Sequence, residues 1–180
     1  MPAPAFTLFD TPIGVCGLAW GEHGLVGALL PEATLQATRA RAHRRFGGAE
    51  ETRPNAGVQR VVARITALLH GVHDDLADVP LDMSGVPTFH RRVYTLARGI
   101  AAGQTRTYGE LAAALGEPAA ARAVGQALGA NPFPIIVPCH RVLAAGLRLG
   151  GFSATGGTRT KLRLLEIEGG PLGGAPGLFD

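Results

Sequence analysis

Cys139 and His140, adjacent in this 180-residue chain, carry the most reactive chemistry available to it. A free thiol titrates near about 8.5, so only a few per cent is thiolate at neutral pH unless a base or a positive charge activates it. A neighbouring imidazole supplies such activation, directly or through one water. Adjacent residues on an extended strand point to opposite faces, so contact between the two requires a bend. Pro138 before the pair and the glycines after it predict one. On its own the dipeptide fits a buried structural cysteine beside an unrelated histidine far better, and the wider context decides. Upstream, 119–127 has almost no side-chain bulk except Arg122. Such a segment is a good helix former, and its smooth surface would let the backbone approach a groove closely with one long cation projecting. Downstream, Glu168 matters only if folding brings it to His140.

The elements that must position these groups can be read from periodicity. Residues 6–10, 14–20 and 25–30 alternate as short strands, with turns at Thr11-Pro12-Ile13-Gly14 and Gly21-Glu22-His23-Gly24. They predict a small antiparallel meander. A polar helix follows over 34–46, and its cluster Arg39, Arg41, Arg44 and Arg45 reads as a solvated face. Val58, Val61, Val62, Ile65, Leu68 and Leu69 recur at helical spacing. Residues 79–83 read as one more extended segment, and a boundary is expected near 84–87.

The second half reads as mainly helical. Phe89, Val93, Leu96 and Ile100 mark one amphipathic helix. Thr107-Tyr108-Gly109-Glu110 fits a capping box opening another, which Gly116 is suited to stop. Pro118 suits the first position of a further helix over 119–128, so the two helices form a helix-turn-helix pair. The apolar run 135–137 reads as buried, glycine dominates 146–157, and a last helix starts near Thr158. The expected organisation is an α/β unit over 1–86, a mainly α unit over 87–170 and a frayed Gly/Pro-rich tail over 171–180.

Composition narrows the classes of function. Residues 1–86 hold 7 Arg/Lys against 9 Asp/Glu, whereas 87–180 hold 10 against 5. A basic second half suits a polyanion better than a membrane. The two cysteines, Cys16 and Cys139, form neither a disulfide framework nor a zinc-binding cluster. His70 and His73 sit three apart, but surface histidines are the default reading and no metal is expected. The start of the chain lacks a signal-peptide pattern, and no apolar run approaches the roughly 20 residues of a membrane helix. A cytoplasmic location is expected, with reduced thiols.

Four runs occur together: Tyr108-Gly109-Glu110-Leu111-Ala112, Ala121-Arg122-Ala123-Val124-Gly125, Asn131-Pro132 and Pro138-Cys139-His140-Arg141-Val142. In order and spacing they resemble the O6-alkylguanine-DNA alkyltransferases, also called methylated-DNA–protein-cysteine methyltransferases. The resemblance is strong from 89 to 169. It is weaker before that, where Thr11-Pro12-Ile13-Gly14 matches an early strand turn. It implies a ribonuclease-H-like first lobe and a winged-helix-like second lobe. It also implies direct repair of double-stranded DNA carrying alkylated bases, without a cofactor. O6-alkylguanine, and O4-alkylthymine with it, would be flipped out of the duplex and the alkyl group transferred once, irreversibly, to Cys139.

By the same resemblance His140 would be the base, reached through a water, Glu168 would orient it and Asn131 would brace the turn. Tyr108 would crowd the phosphate beside the target nucleotide and protonate the guanine leaving group. Arg122 would fill the gap in the stack, with Ala121, Ala123 and Gly125 along the minor groove. Pro134, Gly150, Phe152 and Ser153 would line the pocket. A monomer in solution is implied, and cooperative binding along DNA stays open. Phe152 stands where many relatives have tyrosine, and Ala154 where glycine is frequent, which narrows the pocket for bulky groups. Three rivals remain at this level. An alkyltransferase-like binding module lacks the acceptor cysteine, a helix-turn-helix regulator needs a further module, and a cysteine hydrolase needs an oxyanion hole and turnover.

Overall fold

The protein was analysed as a computed structural model, which describes residues 3–152 and 156–170. The alternating segments form β1 (Ala5–Thr11), β2 (Gly14–Gly21) and β3 (Gly24–Leu29), an antiparallel meander. The two-residue β4 (Glu50–Glu51) adds to β1 in parallel, giving the order β3-β2-β1-β4. Both turns fall where expected, and at the first Thr11 Oγ1 donates to the Gly14 carbonyl at 2.6 Å. At the second, Gly24 takes a φ of +125°, and a Cβ there would lie 2.6 Å from the Pro80 carbonyl oxygen. Glycine is required on both counts.

Each face of the sheet is covered. On one side α1 (Leu35–Arg45), capped by the Thr34 side chain, packs Ala42 against Phe6, Ala19 and Leu29. On the other, Cys16, Leu18, Ala28 and Leu30 join a larger core with α2 (Ala56–Leu69) and α3 (Thr88–Arg98). Val26 is an extra residue opposite the Ala19–Trp20 step, and this bulge lets both Leu25 and Ala28 face the larger core. The 79–83 segment contributes a single bridge, Leu81 to Leu25, rather than a strand.

The second half holds α4 (Tyr108–Ala114), α5 (Ala121–Gly129), α6 (Thr158–Glu168) and a parallel pair of two-residue strands, β5 (Arg106–Thr107) and β6 (Val142–Leu143). The architecture is thus mixed α/β with a small antiparallel sheet and packed helices. The capping box is present: Glu110 N donates to Thr107 Oγ1 at 3.1 Å and Thr107 N to Glu110 Oε2 at 2.7 Å. Pro118 does not open α5, contrary to expectation. It lies in the preceding turn, which the Ala120 amide closes on the Glu117 carbonyl at 2.8 Å, and the helix begins at Ala121. The short link leaves no room for an earlier start.

The core runs continuously from Cys16 and Leu18 to Val124, Cys139 and Leu164. Polar contacts cross between the halves as well. The Arg98 guanidinium donates to the Leu76 and Val79 carbonyls at 2.8 Å each, and the Ala28 amide of β3 donates to the Pro132 carbonyl at 2.9 Å. Tyr94, 1% exposed, donates its hydroxyl to the Ala127 carbonyl at 2.6 Å. That carbonyl is among the last four of α5, which lack a partner within the helix. Tyr94→Phe leaves it buried without this donor, and urea unfolding should show a loss of about 1–3 kcal/mol.

Candidate active site

The site begins with a loop clamped by one side chain. Asn131 Oδ1 accepts from the Phe133 amide and Nδ2 donates to the Val137 carbonyl, both at 2.9 Å. The 135–137 run is therefore a tight turn, not a strand. Ile135 sits at φ +76°, a conformation that costs a β-branched residue about 1–3 kcal/mol and persists only where its surroundings enforce it. The chain then bends into a single 3-10 turn, Cys139–Arg141. This is the bend that the Pro138 and glycine pattern predicts.

Cys139 is buried, and so are His140 and Arg141 at 1% exposure each. Burial pushes the Cys139 thiol pKa up, while the Asn131 amide, the Lys161 charge and the backbone amides of Cys139 and His140 pull it down. Glu168, at the end of α6, meets both following residues. Its Oε1 takes His140 Nε2 at 2.9 Å and Arg141 Nη2 at 2.7 Å, and its Oε2 takes Arg141 Nε at 3.0 Å. Arg141 Nη1 also donates to the Ile100 carbonyl at 2.7 Å. Burial alone would raise the Glu168 pKa, but the His140 and Arg141 hydrogen bonds outweigh it and hold the group at about 2. An ionised carboxylate only accepts, so His140 must donate from Nε2. Burial lowers the His140 pKa against the pull of Glu168, favouring a neutral ring. Its Nδ1 is then an acceptor, buried and without a hydrogen-bond partner among the described residues.

A second buried cation stands beside this relay. Lys161 Nζ donates to the Val142 carbonyl at 2.7 Å and lies 3.4 Å from both the Tyr108 hydroxyl and the Gly151 carbonyl. Burial lowers its pKa to about 8. Burial, then the Cys139 charge, raises that of Tyr108. The Lys161–Tyr108 contact thus sets a phenol beside an ammonium that titrates near neutrality. Gly150 passes so close that a Cβ there would lie 3.2 Å from the Tyr108 hydroxyl oxygen.

These groups open onto a cleft of about 760 Å³, lined among others by Tyr108, Ala121, Arg122, Gly125, Cys139 and Phe152. Most of the sequence-predicted residues are therefore brought together: the thiol on the wall, Tyr108 beside it and the smooth face of α5 with exposed Arg122 at the mouth. Ala123 does not line this cleft. Pro134 lines a smaller one, of about 200 Å³, on another side of Cys139. Ser153, Ala154 and the 171–180 tail lie outside the described residues.

Sequence reasoning missed Arg141 and Lys161. Arg141 was visible as part of the Cys-His-Arg run, but nothing local says that its charge is buried. Lys161, among leucines on a surface-like helix, carries no signal at all. The α1 arginines lie on a largely solvated face, with Arg44 and Arg45 exposed. Arg39 pairs with Glu51 at 2.9 Å and Arg41 with Glu32, yet Arg41 and Arg45 line the smaller cleft. His70 and His73 are not a helix-face pair: His70 Nδ1 meets the Thr66 carbonyl, whereas His73 Nε2 meets the Glu168 carbonyl, each at 2.9 Å. Cys16 is buried, with its pKa pushed up to about 11.

Comparison with known proteins places this geometry. A family model described as "6-O-methylguanine DNA methyltransferase, DNA binding domain" matches residues 88–170. A methylated-DNA–protein-cysteine methyltransferase of Mycolicibacterium paratuberculosis is 38% identical over 159 residues, 88% of each chain. The crystal structure of a Mycobacterium tuberculosis O6-methylguanine methyltransferase superposes with a TM-score of 0.72 at 35% identity, covering 92% of this chain and 93% of that one. A second, the Mycobacterium tuberculosis OGT in complex with DNA, gives 0.71 at 35% identity with 92% of each chain covered.

Glu168→Gln removes the negative charge from the buried cluster and leaves Arg141 uncompensated, at a cost of about 3–5 kcal/mol in thermal or urea unfolding. The pH dependence gives a second reading. The folded-state pKa of Glu168 lies below the ordinary 4.5, so its contribution is present above that value and is lost as pH falls towards about 2. The variant should lack that component of acid destabilisation.

Proposed function

The chain belongs to the O6-methylguanine-DNA methyltransferase family, and on that premise we propose that Cys139 takes the alkyl group from O6-alkylguanine in double-stranded DNA. One observation carries the reading: the only thiol facing the cleft of Tyr108 and Arg122 is Cys139, and the adjacent base has its free nitrogen buried with it. A water between Cys139 Sγ and His140 Nδ1 passes the thiol proton to the imidazole, and Glu168 stabilises the cation so formed. The thiolate then displaces guanine at the saturated carbon. The S–C bond forms, the C–O6 bond breaks, and the departing base takes its electron pair and a proton from Tyr108. Lys161 offsets the charge left on the phenolate. A thioether has no easy route back, so each molecule acts once, without a cofactor.

The target atom lies inside the duplex, so the nucleotide is flipped into the cleft at a cost of a few kcal/mol. Arg122 fills the gap from α5, whose small residues Ala121 and Gly125 let the helix lie in the minor groove, with Ala123 beside them. Asn131 keeps the acceptor turn in register, and Gly150 and Phe152 wall the base. O4-alkylthymine presents the same O-alkyl geometry and is a second substrate. The α4–α5 pair acts as a helix-turn-helix of winged-helix type, and 1–86 forms a ribonuclease-H-like support for 87–170. The protein works as a cytoplasmic monomer.

Mixing the protein with a duplex carrying labelled O6-methylguanine should place label on Cys139 to a plateau of one per chain. Cys139→Ser should take none. Continuous release of product would instead show a hydrolase, and DNA binding without label a binding module. Arg122→Ala should slow transfer from duplex by about tenfold or more while affecting a single-stranded oligonucleotide less, since only the duplex requires the stack to be refilled. Equal losses on both substrates would remove the intercalating role.

A further inference from the structure

One surface of the first half carries charge that neither the packing nor the transfer step uses. Residues 1–86 hold more acids than bases, yet four of their seven cations, Arg39, Arg41, Arg44 and Arg45, fall on α1. Two of the four are paired, Arg39 with Glu51 and Arg41 with Glu32. Arg44 and Arg45 are exposed and have no hydrogen bond or ion pair among the described residues. They lie in the last turn of the helix with His43, where a cation favours the negative end of the helix dipole. Arg45, however, follows Arg41 by four positions, a spacing at which like charges oppose each other. Helix stability alone does not call for both.

Position ties these cations to the end of α5. Arg41 and Arg45 line the smaller cleft together with Leu128, Gly129 and Ala130, and among the described residues no carboxylate lines it. Leu128 and Gly129 also line the larger cleft, with Arg122 and Gly125 earlier on the same helix. The last turn of α5 carries no basic residue, and the carbonyl end of a helix holds partial negative charge, which repels a phosphate. From Arg122 to Gly129 the helix rises about 10 Å, at about 1.5 Å per residue, against a minor groove about 6 Å wide. A helix that refills the stack from Arg122 therefore brings its other end out to the phosphates bordering the groove. The cations at hand there belong to α1.

We propose that Arg44 and Arg45 bind backbone phosphates of the duplex beside the lesion, so that the DNA interface extends beyond residues 88–170 onto α1 of the first half. This rests on double-stranded DNA being the substrate. Exposure suits the role, because both guanidinium groups are open to a partner and neither has a carboxylate to give up. Each offers the planar donor fork that a phosphate accepts. Backbone contacts of this kind position a duplex and carry no sequence information, which fits a lesion that can lie in any sequence.

The test is the salt dependence of binding to an undamaged duplex, which reports phosphate contacts without transfer. The slope of log Kd against log salt concentration should fall by about 0.9 in Arg45→Gln and by about 1.8 when Arg44→Gln is added, while Arg45→Lys keeps it. Arg60→Gln removes an equal charge from an exposed position on α2 that lines a different cleft, and it should leave the slope unchanged. On a duplex carrying O6-methylguanine, the double variant should need a several-fold higher duplex concentration for half-maximal transfer and reach the same rate at saturation. A slope indifferent to both arginines, or lowered equally by Arg60→Gln, overturns the contact while leaving transfer to Cys139 standing. So does a fall in the saturating rate with no change in slope, which would put the arginines at the acceptor instead. Absence of both duplex binding and label on Cys139 in the unmodified protein overturns the DNA reading and the contact together.

Discussion

A carboxylate with almost no access to water is the constraint around which the rest of this structure is arranged. Glu168 is 5% exposed, and an ionised carboxylate at that depth is strongly disfavoured unless positive charge and donors reach it. Arg141 answers with two hydrogen bonds and His140 with a third. Because both partners belong to the one turn that follows Cys139, the end of α6 and the reactive segment cannot move independently. The same clamp sets chemistry as well as position. It fixes which imidazole nitrogen donates, and so leaves the other to accept. The Arg141 bond to the Ile100 carbonyl carries the restraint on to the segment after α3, and His73 holds the Glu168 carbonyl from the first half of the chain.

The thiol is held between opposing effects. Burial raises its pKa, which suppresses the thiolate in the resting protein. Asn131, Lys161 and two backbone amides counter that only in part, so a base is still needed to take the thiol proton. Lys161 links this to Tyr108 and to the Gly151 carbonyl. One ammonium thereby touches the phenol, the strand after the cysteine and the glycine-rich wall. The proposed single use of the protein fits such a site, since nothing needs to be regenerated.

The first half of the chain holds no candidate for the alkyl acceptor, yet it shapes the site. The edge of β3 supplies the Ala28 amide that holds Pro132, immediately after the asparagine that clamps the acceptor turn. α1, packed on the far face of the sheet, brings Arg41 and Arg45 to the rim of the smaller cleft. Surroundings of this kind sustain Ile135 in the left-handed region.

The local elements were legible because their causes are local. Alternation with Gly/Pro turns gave the meander, helical spacing gave α2, α3 and α6, and Thr107 with Glu110 marked the start of α4. The order and spacing of Tyr108, Arg122, Asn131 and Cys139 were enough to point to the family. Pro118 misled because its fit to a first helical position ignores the turn that the short link needs. The fate of charge was not legible. Arg141 and Lys161 read in sequence as ordinary cations, and Glu168 as a terminal acid that only the family resemblance tied to His140. Whether a charge is solvated, paired or buried against a carbonyl depends on segments far away in the chain. The Glu168 clamp spans 28 residues to His140, and the Lys161 contact spans 53 residues to Tyr108. Those juxtapositions exist only once the core has closed, so the tertiary structure alone decided them.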